Sequence, residues 1–332
     1  MSSPRQTLSH IQYLLKTHHL MPKAKMGQNF LIDLNLIDLI INNSELTKND
    51  IVLEVGTGTG SLTAKLCDHA GQVITVELDP DFHRLAKSQL GIRPNLIMIQ
   101  GDILEGKNRL HQDTIKTWQT CLNKIEPDDQ IVPASDPLSN SVPMQPQAEK
   151  EIVASRKAKL IANLPYVVAT PVIANLLLSE IIVDKMIVMV QLEVAERLVA
   201  QVGSKDYSAL SVLVQSLADV QIIRRLPPSV FWPQPKVDSA IVKISANVEK
   251  RKKVNNPVSY REFLRDLYTH RRKNLRQAIS AWPMVKLEKN QIDDQLNQIN
   301  LSGTIRAETL TLEEHYKLFE SFAPWIRSQK EG

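Results

Sequence analysis

Ile51-Val52-Leu53-Glu54-Val55-Gly56-Thr57-Gly58-Thr59-Gly60-Ser61 is an apolar run that ends in three glycines spaced by single residues. The run Ile51–Val55 predicts a buried strand, and Ser61–His69 after the glycines predicts a helix. Glycines at such a turn permit a tight bend and let a ligand approach the main chain. Outward from this unit the pattern repeats. Val73–Glu77, Leu96–Ile99, Lys159–Ala162 and Lys185–Val190 read as strands, with Pro80–Leu90 and Pro171–Ser179 as helices between them. Strands alternating with helices predict an α/β fold with a doubly wound, parallel sheet. Val220–Leu226 and Val237–Ile244 read as an antiparallel pair that closes it. Residues 5–20 and Phe30–Ile41 have helical spacing. After about residue 250 no strand pattern survives, and residues 257–281, 287–299 and 307–323 read as helices of a small all-α domain.

The glycine spacing separates two cofactor classes. A dinucleotide turn reads Gly-x-Gly-x-x-Gly, its third glycine serving helix packing. Here that position is Ser61, which disfavours a dehydrogenase. Glu54-x-Gly56-x-Gly58-x-Gly60 resembles instead the nucleoside-binding loop of S-adenosylmethionine-dependent methyltransferases, whose cofactor has no pyrophosphate to seat. Glu77 ends the second strand, where a carboxylate can accept both ribose hydroxyls or lie idle at the surface. Asp102, in Gln100-Gly101-Asp102-Ile103, is placed to accept from an adenine amino group; a helix N-cap is its plain alternative. Glu54 either buttresses the loop or reaches a methionine amine through water.

Asn163-Leu164-Pro165-Tyr166 ends the strand Lys159–Ala162. An amide, a proline and an aromatic make a poor core and a good pocket for an amino group on a flat ring. The exocyclic nitrogen of adenine is a weak nucleophile because its lone pair is delocalised into the ring. Two acceptors, the Asn163 side-chain oxygen and the Leu164 carbonyl, can hold its hydrogens and favour a more tetrahedral nitrogen. Fixed acceptor dipoles also stabilise the positive charge that grows there. Pro165 holds the turn and removes a competing donor. Tyr166 offers a stacking face for an extruded base. By itself the tetrad also fits an ordinary strand-to-helix turn.

Hydrophobic content of 43% and charged content of 23% are those of a globular protein. Leu160–Leu178 is interrupted by Asn163, Pro165, Pro171 and Asn175, which argues against a membrane span. Cys67 and Cys121 fit no metal or disulfide spacing, so a reducing, cytoplasmic setting is expected. Net charge is only +4, but residues 1–26 hold Arg5, Lys16, Lys23 and Lys25 with no acid, and residues 249–276 hold ten lysines and arginines against Glu249, Glu262 and Asp266. Such segments suit a polyanion, although charge runs are usually solvated faces. The acid-free N-terminus also fits an organellar presequence. Residues 125–149, with five prolines, five acids and no lysine or arginine, read as a mobile insertion within about 105–156.

Further stretches make a family resemblance specific. They are Gly27-Gln28-Asn29-Phe30-Leu31, Gln191-Leu192-Glu193-Val194-Ala195-Glu196-Arg197-Leu198, Tyr207–Val212, Pro227–Ala240, Arg271-Arg272-Lys273-Asn274-Leu275-Arg276 and Arg306-Ala307-Glu308. With the glycine loop and the tetrad, the chain resembles the small-subunit (16S) ribosomal RNA adenine N6-dimethyltransferases, the bacterial family whose loss gives kasugamycin resistance. The likeness runs from about Lys25 to Phe322 outside the insertion. It implies a Rossmann-like class I methyltransferase domain over 27–248, a basic extension over 1–26 and a helical RNA-binding domain over 249–332. S-adenosyl-L-methionine would be the cofactor, bound by Asn29, Leu31, Gly56, Gly58, Glu77, Asp102, Ile103 and Asn163. Asn163, Leu164, Pro165 and Tyr166 would be catalytic, and Phe231 would close on the target adenine opposite Tyr166. The implied substrate is a pair of adjacent adenosines in the 3′-terminal hairpin loop of small-subunit rRNA, met by a monomer on an immature 30S subunit. Lys23 and Lys25 would flank the pocket entrance. Arg271, Arg272, Lys273 and Arg276, read as one short helical segment, would contact phosphate. Val167-Val168-Ala169 depart from more polar relatives and leave the neighbouring substrate contacts open. Two rivals share these motifs: a large-subunit rRNA dimethyltransferase of the macrolide-resistance type, and a mainly non-catalytic ribosome-assembly factor.

Overall fold

The computed structural model describes residues 7–106, 109–124, 156–282 and 287–327. In chain order these form α1 (Leu8–Thr17), β1 (Phe30–Leu31), α2 (Leu34–Ser44), β2 (Asp50–Val55), α3 (Ser61–His69), β3 (Gln72–Glu77), α4 (Pro80–Leu90), β4 (Leu96–Gln100) and α5 (Gln112–Asn123). Then come β5 (Lys157–Asn163), α6 (Tyr166–Leu177), β6 (Val183–Gln191), α7 (Leu192–Leu198), α8 (Ala209–Gln215), β7 (Ala218–Leu226), β8 (Phe231–Trp232) and β9 (Ser239–Ala246). Five helices finish the described chain: α9 (Val248–Lys253), α10 (Pro257–Thr269), α11 (Leu275–Ser280), α12 (Lys289–Gln298) and α13 (Leu312–Arg327).

Seven strands form one sheet in the order β4-β3-β2-β5-β6-β9-β7. The first five are parallel, and β9 and β7 are antiparallel to their neighbours, as the sequence predicts. Both faces are covered, so the central strands bury apolar residues on both sides. Alternate residues feed different cores. Leu53, Val55, Leu160, Ala162, Met186 and Val188 point to the face covered by α5, α6 and α8. Val52, Val73, Ile161, Ile187 and Met189 point to the face covered by α2 and α3. Tyr260, Phe263, Phe319 and Phe322 of the C-terminal helices join the first cluster.

Several expectations are corrected. Phe30–Ile41 is not one helix. Phe30 and Leu31 pair with Trp232 and Phe231, and α2 starts after Asp33, whose carboxylate caps Asn35 N at 2.9 Å. Helix α6 begins at Tyr166, five residues before the expected start. Pro171 is tolerated inside it because the carbonyl it cannot bond belongs to Val167, whose side chain is 74% exposed and open to water. The segment 105–156 is not all insertion, since α5 lies within it. Trp118 of α5 is fully buried and donates from Nε1 to the Ile51 carbonyl at 3.1 Å. The Pro-rich, acidic stretch 125–149 lies outside the described residues. The expected helix over 257–281 is two helices joined by a turn at 270–274. Among the described residues no helix is long and apolar enough to cross a membrane.

Candidate active site

Chain order reverses between β2 and β5, which lie side by side at the centre of the sheet. Ligands of open α/β sheets bind in the crevice at the carboxyl ends of such a pair. The glycine loop leaves β2 there and the Asn-Leu-Pro-Tyr tetrad leaves β5. The two motifs touch. Gly56 has φ +85°, and a Cβ on it would stand 3.4 Å from Pro165 Cδ and Cγ. Gly58 has φ +57°, and a Cβ on it would stand 3.2 Å from the Phe30 ring. Both positions therefore need glycine for backbone angle, and at Gly58 an added Cβ would also crowd the Phe30 ring.

A cavity of about 240 Å³ opens over this loop, lined among others by Gly56, Gly58, Glu77, Asp102, Ile103 and Asn163. Glu77 is 6% exposed and spans the loop: Gly58 N donates to Oε2 at 2.9 Å and Asp79 N to Oε1 at 3.0 Å. Burial raises its pKa against the pull of these bonds. Each oxygen keeps a lone pair for a hydroxyl. Asp102 accepts Leu104 N at 2.9 Å on Oδ1, so the local turn and an outward acceptor coexist in one carboxylate. Asn163 Nδ2 donates at 2.9 Å to the carbonyl of Asn29, part of the strap over residues 23–29 that walls the cavity, and this fixes which end of the amide faces away from the strap. No described donor meets Asn163 Oδ1 or the Leu164 carbonyl. Tyr166 Oη shares a 2.6 Å hydrogen bond with Ser239 Oγ, a fully buried residue at the start of β9.

Residues 20–322 match the family described as "Ribosomal RNA adenine dimethylase". A "Ribosomal RNA small subunit methyltransferase A" of Lachnoclostridium phytofermentans is 34% identical over 320 residues, 96% of this chain and 96% of that one. A protein of the same description from Halothermothrix orenii is 34% identical over 91% of this chain and 87% of its own. The chain belongs to the ribosomal RNA adenine dimethylase family. Among solved structures, a dimethyladenosine transferase from Plasmodium falciparum has the same fold, with TM-score 0.64 and 23% identity over 89% of this chain and 98% of that one. The 23S rRNA methyltransferase ErmE gives TM-score 0.56 and 21% identity over 89% and 100%. The protein is an S-adenosylmethionine-dependent rRNA adenine dimethyltransferase.

For a ribosomal RNA adenine dimethylase the cavity suits the cofactor. It offers a buried two-oxygen acceptor at Glu77, an exposed one at Asp102 and apolar walls at Ile103 and Val76. A smaller adjoining cavity, lined by Leu31, Gly56, Gly58, Ser61 and Asn163, holds the Ser61 hydroxyl, a buried polar atom with no partner among the described residues. Leu31 therefore lines this annexe and not the main cavity. When bound, S-adenosylmethionine would supply an electrophilic sulfonium methyl. Phe231 is not a wall of either cavity. It is 1% exposed and packs with Ile37, Ile241 and Leu226 in the core under β1. Its ring can reach a base only if the β1–β8 pair moves.

The cations divide. Lys25 is exposed on the cavity rim. Lys23 is tied to Asp79 at 2.8 Å and Asp81 at 3.5 Å, and Asp79 also takes Gln28 Nε2 at 3.0 Å. These bonds pin the strap that forms the cavity's outer wall. Arg271, Arg272 and Lys273 lie in the turn between α10 and α11, because Asn274 caps α11 through Gln277 N. Arg271 bridges Glu308 and the Lys205 carbonyl, and Arg276 pairs with Asp293 at 2.6 Å. Arg272 and Lys273 are exposed with no acidic partner among the described residues.

Sequence reading missed Ser239, Asp79 and the threonines around Glu54. Glu54 is 1% exposed and takes Thr63 Oγ1 at 2.6 Å and Thr75 Oγ1 at 2.7 Å on one oxygen, and Thr75 in turn meets Thr57 Oγ1 at 2.7 Å. The network ties β2, β3, α3 and the glycine loop together, so Glu54 buttresses the loop. Burial lifts its carboxyl from 4.5 to about 8. A carboxyl raised on folding stabilises fully below about 4.5, and that contribution is lost as pH climbs through about 8. Wild-type stability is expected to fall across that window relative to Glu54→Gln in thermal melts; a pH-independent difference would contradict it. Ser239→Ala frees the Tyr166 ring. One hydrogen bond of about 1 kcal/mol corresponds to roughly a fivefold loss of kcat. Cofactor titration should be unchanged, and equal losses in both would assign Ser239 a merely structural part.

Proposed function

We propose that this enzyme dimethylates the N6 amino groups of two adjacent adenosines in the 3′-terminal hairpin loop of small-subunit rRNA. It would act as a cytoplasmic monomer on an immature 30S subunit. The observation that carries the chemistry is the pair of uncommitted acceptors, Asn163 Oδ1 and the Leu164 carbonyl, beside a cavity built for a nucleoside. They hold the two hydrogens of a splayed-out adenine amine and face its developing charge. Tyr166, held by Ser239, presents its ring to the base. No strong base is needed, because the proton leaves a nitrogen that has become cationic. After one round the same acceptors hold an amine with one hydrogen left, so the second round has one acceptor fewer in use.

The small-subunit assignment is supported by the curated relatives and by the basic turn at 271–273. RNA recognition would rest on phosphate and shape. Arg272 and Lys273 would meet phosphate, Arg271 would brace the turn against Glu308 and the 201–206 loop, and Lys25 would act at the cavity rim. Arg272→Ala with Lys273→Ala is expected to shrink the slope of log affinity against log salt by roughly 1.5; an unchanged slope would remove the turn from the interface. The reading itself is tested by incubating undermethylated small subunits with labelled cofactor and mapping the modified bases. Label on the adjacent adenosine pair supports it. Label on large-subunit rRNA alone would favour the macrolide-resistance type, and no label would favour an assembly factor.

A further inference from the structure

Beyond the reaction pocket lies a second concavity of about 410 Å³, between the start of α7 and the loop before β9. It is lined by Gln191, Leu192, Glu193, Glu196, Lys236 and Asp238, with Val237 beside them. Its place is fixed by the sheet. Asn163 sits opposite Met189 in the β5–β6 ladder, and Gln191 lies two residues further toward the carboxyl end. With strands about 4.8 Å apart and about 3.3 Å per residue, Gln191 is roughly 8 Å from the Asn163 position. Gln191 in turn faces Ser239, the residue that holds Tyr166. The groove therefore starts beside the residue that holds Tyr166, within one nucleotide's reach of a base lodged at the tetrad.

Its polar groups fall into two sets. Glu193 and Glu196 are committed to Arg197 and Arg225. The side chains of Gln191, Lys236 and Asp238 have no partner among the described residues. An amide beside an ammonium and a carboxylate is a set suited to a nucleotide. Glutamine offers a donor and an acceptor in the fork that matches adenine N6 and N7. Lysine meets phosphate as a point charge, and aspartate accepts from an amino group on a base edge.

We propose that this groove seats the nucleotide next to the target adenosine, with Gln191 reading an adenine edge and Lys236 meeting its phosphate. The inference rests on the functional reading above and adds to it a reason why the two modified adenosines are neighbours: the one that reacts second, its N6 hydrogens still in place, is read in the groove while the first reacts.

The test uses the full chain and undermethylated small subunits in which one adenosine of the pair is replaced by guanosine, in both arrangements. Methylation of the remaining adenosine is measured for wild type and Gln191→Ala. For at least one arrangement, wild type is expected to lose about tenfold in kcat/KM relative to the unaltered pair, the scale of one bidentate base contact. Gln191→Ala is expected to abolish that penalty. Lys236→Ala should raise KM and lower the salt slope by about one. Unchanged cofactor affinity in both variants establishes that they fold. No penalty in wild type, or the same penalty in Gln191→Ala, overturns the groove while leaving the functional reading intact. Failure of wild type to label the unaltered pair overturns both.

Discussion

Asn163→Ala is expected to slow methyl transfer by about 10²–10³-fold while leaving cofactor affinity nearly unchanged. The magnitude is that of removing one fixed dipole aimed at charge that develops in the transition state. It applies here because Asn163 Oδ1 is held, not free: its amide nitrogen is bonded to the Asn29 carbonyl at 2.9 Å, on the strap that walls the cavity. Glu77 and Asp102, the acceptors proposed for the cofactor's ribose and adenine, lie at the ends of other strands and stay in place. Single-turnover transfer and cofactor titration separate the two effects. Asn163→Asp adds a control. It keeps acceptor oxygens but sets a carboxylate against the Asn29 carbonyl, so the strap should be displaced and cofactor affinity should now fall. Dimethylation at the wild-type rate by Asn163→Ala would remove the tetrad from the chemistry.

Lys159→Met should cost about 3–5 kcal/mol of stability, the range for stripping one partner from a buried ion pair. Lys159 is 3% exposed and Asp50 1%, and their charges meet at 2.9 Å at the amino end of the central strands. The ammonium also donates to the Ser44 and Glu45 carbonyls at 3.0 and 2.8 Å. Methionine fills similar volume but leaves Asp50 charged, with Thr47 N and Oγ1 at 2.7 and 3.1 Å as its remaining donors. At 2–4 °C per kcal/mol for a domain of this size, a fall in Tm of about 10 °C is expected by calorimetry. Asp50→Asn combined with Lys159→Met should recover part of it, since the stranded charge is gone. A shift under 2 °C for Lys159→Met would mean that water reaches the pair.

The sequence was most legible where local chemistry sets the boundary. Helix α4 runs Pro80–Leu90 as expected because Asp79 caps it at 3.0 Å and proline starts it. The glycine loop, Glu77, Asp102 and Asn163 were legible as one set because all sit at carboxyl ends of strands that the hydrophobic pattern reveals. Elsewhere long-range contacts decide. Ser239 holds Tyr166 from 73 residues away, and no local pattern announces such a bond. Trp118 made α5 part of the core by bonding the Ile51 carbonyl, so a stretch that composition groups with an insertion proved ordered. The family resemblance implied that Phe231 is a clamp, yet its pairing with Leu31 turns the ring into the core. Two misses had a local signal: Asn274 and Asp33 are N-cap residues, each in front of a new apolar period.

Binding of S-adenosylmethionine in a crystal is the most direct check. The account requires the ligand to lie along Glu77 and Asp102 with its reactive methyl turned toward Asn163 Oδ1 and the Leu164 carbonyl. A ligand found in any other cleft, or in this one with that methyl pointing away from both oxygens, would contradict it.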